Sequence, residues 1–221
     1  MTKRAIAFID GFNLYHSIQN DKALHKYKWL DLNRLVQGFL SSKEHLGEVC
    51  YFTAYTDWNP ARKSRHHTYV KALEGSGVKV IFGQFVERER TSLVPCGCPC
   101  TTSSTKSICG KKFTSHEEKK TDVNIAVSIL KACITGSCDS IYLLTGDNDI
   151  VPALEAVKTL FPAIDVRVIL PIRARAKKMM DTCLKNGFKY MRIKEGHLAS
   201  AQLPASVIVD GQMFTRPATW V

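Results

Sequence analysis

The sequence is short of acid. Its 221 residues carry 20 Asp+Glu against 31 Lys+Arg, a formal net charge of +11. A surplus of that size points to a polyanionic partner, either nucleic acid or an anionic membrane surface. Long apolar runs are also missing. No window nears the ~18 consecutive apolar residues of a membrane helix. The N-terminal run Ala5–Ile9 is shorter than the roughly 7–15 residues of a secretory core. A cytoplasmic location is therefore expected, with no membrane partner and with reduced thiols, so disulfides are a poor explanation for the 8 cysteines. There is no internal repeat and no G-x-x-x-x-G-K-[ST] phosphate loop. Asp10 is followed by Gly11 and Phe12, without the second nearby carboxylate of a D-x-D phosphoryl-transfer motif. The apolar share of 45% and charged share of 23% are those of an ordinary globular chain, so bulk disorder is excluded.

What is present is an alternation of short apolar strands with longer helices. Strands are expected at Ala5–Ile9, Glu48–Thr56, Val78–Phe85 (running on toward Arg90), Ser140–Leu144, Ile164–Leu170 and Phe188–Ile193. Helices are expected from Leu14, over Leu30–Leu40 with Asp31 as N-cap, and over Pro60–Glu74, Glu117–Ile134, Ile150–Leu160 and Ala174–Asn186. This order predicts an α/β fold with a central parallel sheet covered on both faces. Residues 91–116 lack periodicity and look like an insertion. Residues 1–195 then form the main domain. The tail 196–221 has one strand candidate at Ser206–Val209, and its apolar residues pack either on the sheet or on a second subunit as a homodimer.

Ligands of open parallel sheets bind outside the carboxyl ends of the strands. Two strands end in acid there: the first at Asp10, the fourth at Asp147-Asn148-Asp149. Asp122 lies in the first turns of the helix after the insertion, and Glu118, four residues earlier, is expected on the same helix face. Carboxylates gathered at one edge repel each other unless a cation sits among them. Mg²⁺ and Mn²⁺ take such oxygen ligands and assist phosphodiester cleavage by activating water and stabilising the leaving oxygen. Each acid also has a plainer explanation: Asp10 as a strand end, Asn148 or Asp149 as a helix N-cap, Asp122 as a first-turn acid favoured by the helix dipole.

Three stretches resemble the motifs of NYN domains, which belong to the PIN-like nuclease superfamily. They are Phe8-Ile9-Asp10-Gly11-Phe12-Asn13, the segment His116–Ala126 around Asp122, and Leu144-Thr145-Gly146-Asp147-Asn148-Asp149-Ile150. The last is similar to the family's S-G-D-S-D-F, with Thr145 and Asn148 in place of the two serines. The similarity spans roughly residues 4–195 and suggests the LabA-like branch. It implies a PIN-like three-layer α/β/α fold and a Mg²⁺- or Mn²⁺-dependent ribonuclease site. Asp10, Asp122, Asp147 and Asp149 match its acidic positions and Asn13 its polar partner. Glu118 would stand beside them, positioning water. The alternative is a non-catalytic RNA-binding or regulatory protein that keeps the fold.

Two further features surround this centre. Cys96, Cys98, Cys100 and Cys109, followed by His116, form a C-x-C-x-C-x₈-C cluster whose soft ligands suit a structural Zn²⁺, although the usual C-x₂-C knuckle is absent. Cys50, Cys133 and Cys183 fit core positions. Arg62, Lys63 and Arg65 follow the second strand, and Arg173, Arg175 and Lys177 follow the strand ending at Leu170. Both groups are placed to contact RNA phosphates beside the acids. Phe12, Tyr55 and Trp58 are candidates for stacking on unpaired bases.

Overall fold

The structure is a computed structural model that describes residues 2–91, 112–173 and 176–220. Six parallel strands form the central sheet: β1 (Lys3–Asp10), β2 (Glu44–Thr53), β3 (Lys79–Phe82), β6 (Ser140–Leu144), β7 (Asp165–Leu170) and β8 (Lys189–Arg192). Their order is β3-β2-β1-β6-β7-β8. The chain winds outward from β1 in one direction and from β6 in the other, so the switch point lies between these two strands. That is where an open α/β sheet leaves a crevice.

The apolar run of β1 serves both faces, as its period of two requires. Ala5, Ala7 and Ile9 enter one core with residues of α1 (Gly11–Gln19), α2 (Leu32–Gln37) and α3 (Pro60–Gly75). Ile6 and Phe8 enter the other with α4 (Thr121–Ile134), α5 (Val151–Leu160) and α6 (Lys177–Asn186). This is the expected three-layer α/β arrangement. Asp31 does cap α2, accepting from the Arg34 amide at 3.1 Å. The tail joins the first core. Leu198 of α7 (Glu195–Ser200), Leu203 and Trp220 pack among its residues, and the Trp29 indole donates to the Pro204 carbonyl at 2.7 Å. The Ser206–Val209 strand is present as β9, paired antiparallel with β10 (Gln212–Thr215).

The region before α4 departs from expectation in three ways. The third strand does not continue through Phe85: it stops at Phe82, and β4 (Gln84–Thr91) leaves the sheet. Gly83 makes the break, its amide bonding the Thr53 carbonyl at 2.8 Å. Residues 112–116 are not irregular. They belong to β5 (Lys112–Lys119), which pairs antiparallel with β4. The two strands form an exposed ribbon with little core face, so apolar alternation is weak. Cross-strand charges hold it instead, Lys112 to Glu89 at 2.6 Å and Arg90 to Glu117. Finally, α4 starts at Thr121, not Glu117. Glu118 is a strand residue and does not share a helix face with Asp122.

Gly11 sits where β1 passes directly into α1. A Cβ there would lie 2.5 Å from the Phe52 carbonyl oxygen and 2.7 Å from the Tyr51 ring. Gly11→Ala is expected to destabilise the fold by about 1–3 kcal/mol, the usual cost of overpacking, read as a lowered midpoint in urea unfolding.

Candidate active site

Asp10 ends β1 with its side chain turned back on the start of α1. The Asn13 amide donates to Oδ1 at 3.0 Å, the Asn13 Nδ2 to Oδ2 at 2.6 Å, and the Thr145 hydroxyl to Oδ2 at 2.9 Å. The carboxylate is therefore the N-cap of α1 and is also tied to the end of β6. Asp10 is 2% exposed. Burial raises its pKa; the Asn13 and Thr145 bonds oppose this, and the charge of Asp147 adds to the rise. Asn13 reaches across the crevice as well, its Oδ1 accepting from the Gly146 amide at 3.2 Å. Thr145 Oγ1 in turn accepts from the Asp147 amide at 3.1 Å. The loop after β6 is thus fastened to the end of β1 and the start of α1 through the Asn13 side-chain amide and the Thr145 hydroxyl.

Asp122, Asp147 and Asp149 converge beside this knot, each offering a carboxylate oxygen within 4.8 Å of the others. Burial, then the charges of Asp10, Asp147, Glu118 and Asp149, push the Asp122 carboxyl up to about 6. This is what crowded carboxylates do in the absence of a counter-charge. Neither Asn148 nor Asp149 caps α5: its N-cap is Ile150, with no side-chain bond. The plainer explanation thus fails for Asp149 and holds in part for Asp10. Glu118 approaches from β5 and accepts from the Thr121 amide at 3.1 Å. It caps α4 from outside and fixes the helix that carries Asp122.

A cavity of 420 Å³ opens from the acids and runs between α1 and α3. Phe12, Trp58, Phe85 and His116 line it on one side; Arg62, Arg65 and His66 line it on another. His116 stacks on Trp58 with ring centroids 3.6 Å apart and Nε2 3.2 Å from Glu87. Cys96, Cys98, Cys100 and Cys109 lie outside the described residues. Of the basic candidates, Arg62 and Arg65 reach the cavity, whereas Lys63 pairs with Asp57 at 2.7 Å. Arg173 pairs with Asp21 and borders a shallower groove that shares Phe12, Asn13 and His16 with the cavity. Lys177 is exposed at the start of α6; Arg175 lies outside the described residues. Tyr55 packs on His66 and Phe82. Sequence inspection missed Lys28, Thr56, Phe85 and Trp220 as cavity residues. They come from separate elements and share no motif.

With this geometry the family follows. The NYN domain profile matches residues 4–186, and the chain belongs to the NYN domain family, within the PIN-like nuclease superfamily. It is also similar to the 6-hydroxy-3-succinoylpyridine 3-monooxygenase HspA of Pseudomonas putida. That similarity is 26% identity over 243 residues, covering 98% of this chain and 75% of that protein. No solved structure matches.

The Thr145 hydroxyl serves a carboxylate that is almost wholly buried. Thr145→Val keeps the shape and removes the donor, and is expected to destabilise the fold by about 1–3 kcal/mol. The lost bond served the ionised form. Thermal unfolding should therefore show a larger deficit at pH 8 than at pH 4, and an equal deficit at both would refute this account of Asp10.

Proposed function

We propose that the protein is a divalent-metal-dependent ribonuclease that hydrolyses RNA phosphodiester bonds at the aspartate cluster. The observation that carries this is the convergence of Asp122, Asp147 and Asp149 at the switch point of the sheet, next to a cavity lined by cations and aromatics. The oxygen-only donor set and the raised Asp122 pKa fit Mg²⁺ or Mn²⁺. These three residues would hold the cation, which when bound activates water and stabilises the leaving oxygen. Asp10 adds negative charge behind them while its own oxygens hold Asn13 and Thr145. Asn13 positions the loop of Asp147 and Asp149. Arg62 and Arg65 take phosphates of the RNA, and Glu118 keeps Asp122 in place by fixing the start of α4.

Within the family the motifs resemble the LabA-like branch, and the charge surplus with the absence of a long apolar segment supports a cytoplasmic RNA partner. The cysteine cluster with His116 is proposed as a structural Zn²⁺ site. Metal analysis of protein purified without chelator is expected to find zinc, and its absence would remove that proposal. A second function is favoured by the aromatic lining of the cavity and by the name of the P. putida relative: hydroxylation of a small heteroaromatic ring. Oxygen uptake on addition of 6-hydroxy-3-succinoylpyridine and a reduced nicotinamide or flavin, without RNA cleavage, would favour it.

The decisive assay incubates labelled RNA and DNA with pure protein and Mn²⁺, Mg²⁺ or EDTA. Cleavage of RNA is expected with metal and not with EDTA. Asp149→Asn should lower the rate by more than the ~10–100-fold that loss of an outer-sphere partner costs; an undiminished rate would overturn the proposal. Tight binding of RNA without cleavage would support the non-catalytic alternative.

Metal binding should also depend on pH. With its pKa at about 6, Asp122 holds a proton below that pH and must release it to bind a cation. Mn²⁺ affinity is expected to fall as pH drops from 7 to 5 and to level off above 7, as read by isothermal titration calorimetry.

A further inference from the structure

The inner arm of the cavity contains groups that the cleavage chemistry does not use. Lys28 and Thr56 line it, 8% and 6% exposed. The Lys28 ammonium donates to Gln19 Oε1 at 2.6 Å and lies 5.9 Å over the Tyr15 ring, and it forms no ion pair among the described residues. Arg62 and Arg65 also lack ion pairs among the described residues, although Lys63, their neighbour on α3, has one. Burial, then Arg65, lower the Lys28 pKa, as expected for a cation without a counter-charge. The Thr56 hydroxyl is buried with no hydrogen-bond partner. Buried polar groups are normally satisfied, so an unpartnered hydroxyl lining the same cavity as an ammonium with no ion pair marks a place where something else binds.

The outer part of the cavity supplies flat surfaces. Trp58 is 40% exposed although its ring is stacked on His116. Phe85 meets Trp58 edge-on at 4.7 Å and Phe12 edge-on at 5.5 Å. The matching ligand has one planar ring system, a negative charge and hydrogen-bonding edges, and fits a cavity of 420 Å³. Its inner wall is formed by Leu30, Tyr69 and Trp220, all buried.

We propose that this cavity is a nucleotide pocket, which takes one unstacked base of a single-stranded RNA against Trp58 and its phosphate against Arg62, Arg65 and Lys28, with Thr56 bonding the nucleotide. This rests on the ribonuclease function proposed above and assigns the seat of one substrate nucleotide. Asp10, Asp122 and Asp147 line the same cavity, so the bond next to the seated nucleotide is the one presented to the acids. Stacking on an aromatic face is tolerant of sequence; the edge contacts of Thr56 would supply any base preference.

The test is binding without catalysis. The full-length protein in EDTA is titrated with each of the four nucleoside monophosphates, with ribose 5-phosphate, with an unphosphorylated nucleoside and with benzoate. Calorimetry and tryptophan fluorescence follow the binding. At least one nucleoside monophosphate is expected to bind about tenfold tighter than ribose 5-phosphate or the nucleoside. Trp58→Ala should weaken it by about fivefold or more, the lower end for loss of a base–aromatic stack, and should abolish most of the fluorescence change. Lys28→Met and Thr56→Val should weaken binding while leaving the melting temperature equal or higher, because each removes a buried polar group that the free protein leaves poorly satisfied. A group with only a structural role would lower the melting temperature instead. Nucleotide affinity no better than that of ribose 5-phosphate, equal affinity for benzoate, or variants that bind as wild type would each overturn the pocket. RNA hydrolysis without nucleotide binding would refute the pocket alone. Nucleotide binding without hydrolysis by the metal-loaded protein would support the pocket and refute the ribonuclease.

Discussion

Mutual repulsion of carboxylates at the end of two adjacent strands is the constraint around which this molecule is built. Asp10 ends β1, and Asp147 and Asp149 follow β6, its parallel neighbour. Asp122 is brought to them by the first turn of α4. Left to themselves these groups would separate. Three kinds of restraint keep them together. The β1–β6 pairing fixes the two chain ends side by side. Asn13 and Thr145 lace the loop after β6 to the start of α1 through Asp10. Glu118 pins the amide of Thr121, one residue before Asp122. Burial first, and then the neighbouring carboxylates, raise the pKa of Asp10 and Asp122. A divalent cation held among them, as proposed, would offset both effects.

The positive surplus takes its meaning from this negative centre. A polyanion approaching the acids meets repulsion unless cations lie closer to its path. Arg62 and Arg65 line the cavity with the acids, in the first turns of α3, whose N-terminus Asn59 caps. Arg173 borders the adjoining groove, but its charge is met by Asp21. Lys63 has its charge satisfied by Asp57, which separates it from its neighbours. A count of basic residues per helix does not reveal that difference. It depends on which ones remain without a carboxylate after folding.

The legible part of the fold is the part where one physical rule dominates. Ser140–Leu144 is buried on every residue, so its apolar run marked both of its ends correctly. Asp31 caps its helix as expected because few other residues accept from free helix amides. The four aspartates stand at strand ends or a helix start, where chain order alone places them. The β4–β5 ribbon was hidden because an exposed ribbon has little apolar face to betray its period, and the misplaced start of α4 followed from it. Glu118 therefore seemed to be a helix partner of Asp122 when it is a cap delivered from a strand. The cavity was hidden for a different reason: Lys28, Thr56, Phe85 and Trp220 come from four separate parts of the chain and meet only through the tertiary fold.

The tail makes that last point concrete. Trp220 packs on Trp29 and Tyr69, with ring centroids 6.3 and 5.8 Å away, and its own ring helps to close the inner end of the cavity. Tyr69 belongs to α3, the helix of Arg62 and Arg65, and its hydroxyl donates to the Leu30 carbonyl at 3.0 Å. The same cluster therefore sets the depth of the cavity and holds the helix that carries its cations. Residues beyond the matched family segment of 4–186 thus shape the space in front of the family's acids. The acids and their lacing lie within the shared segment, whereas the inner wall is completed by a segment outside it. The acid cluster thus belongs to the common part of the chain, and part of the cavity wall beside it belongs to the tail.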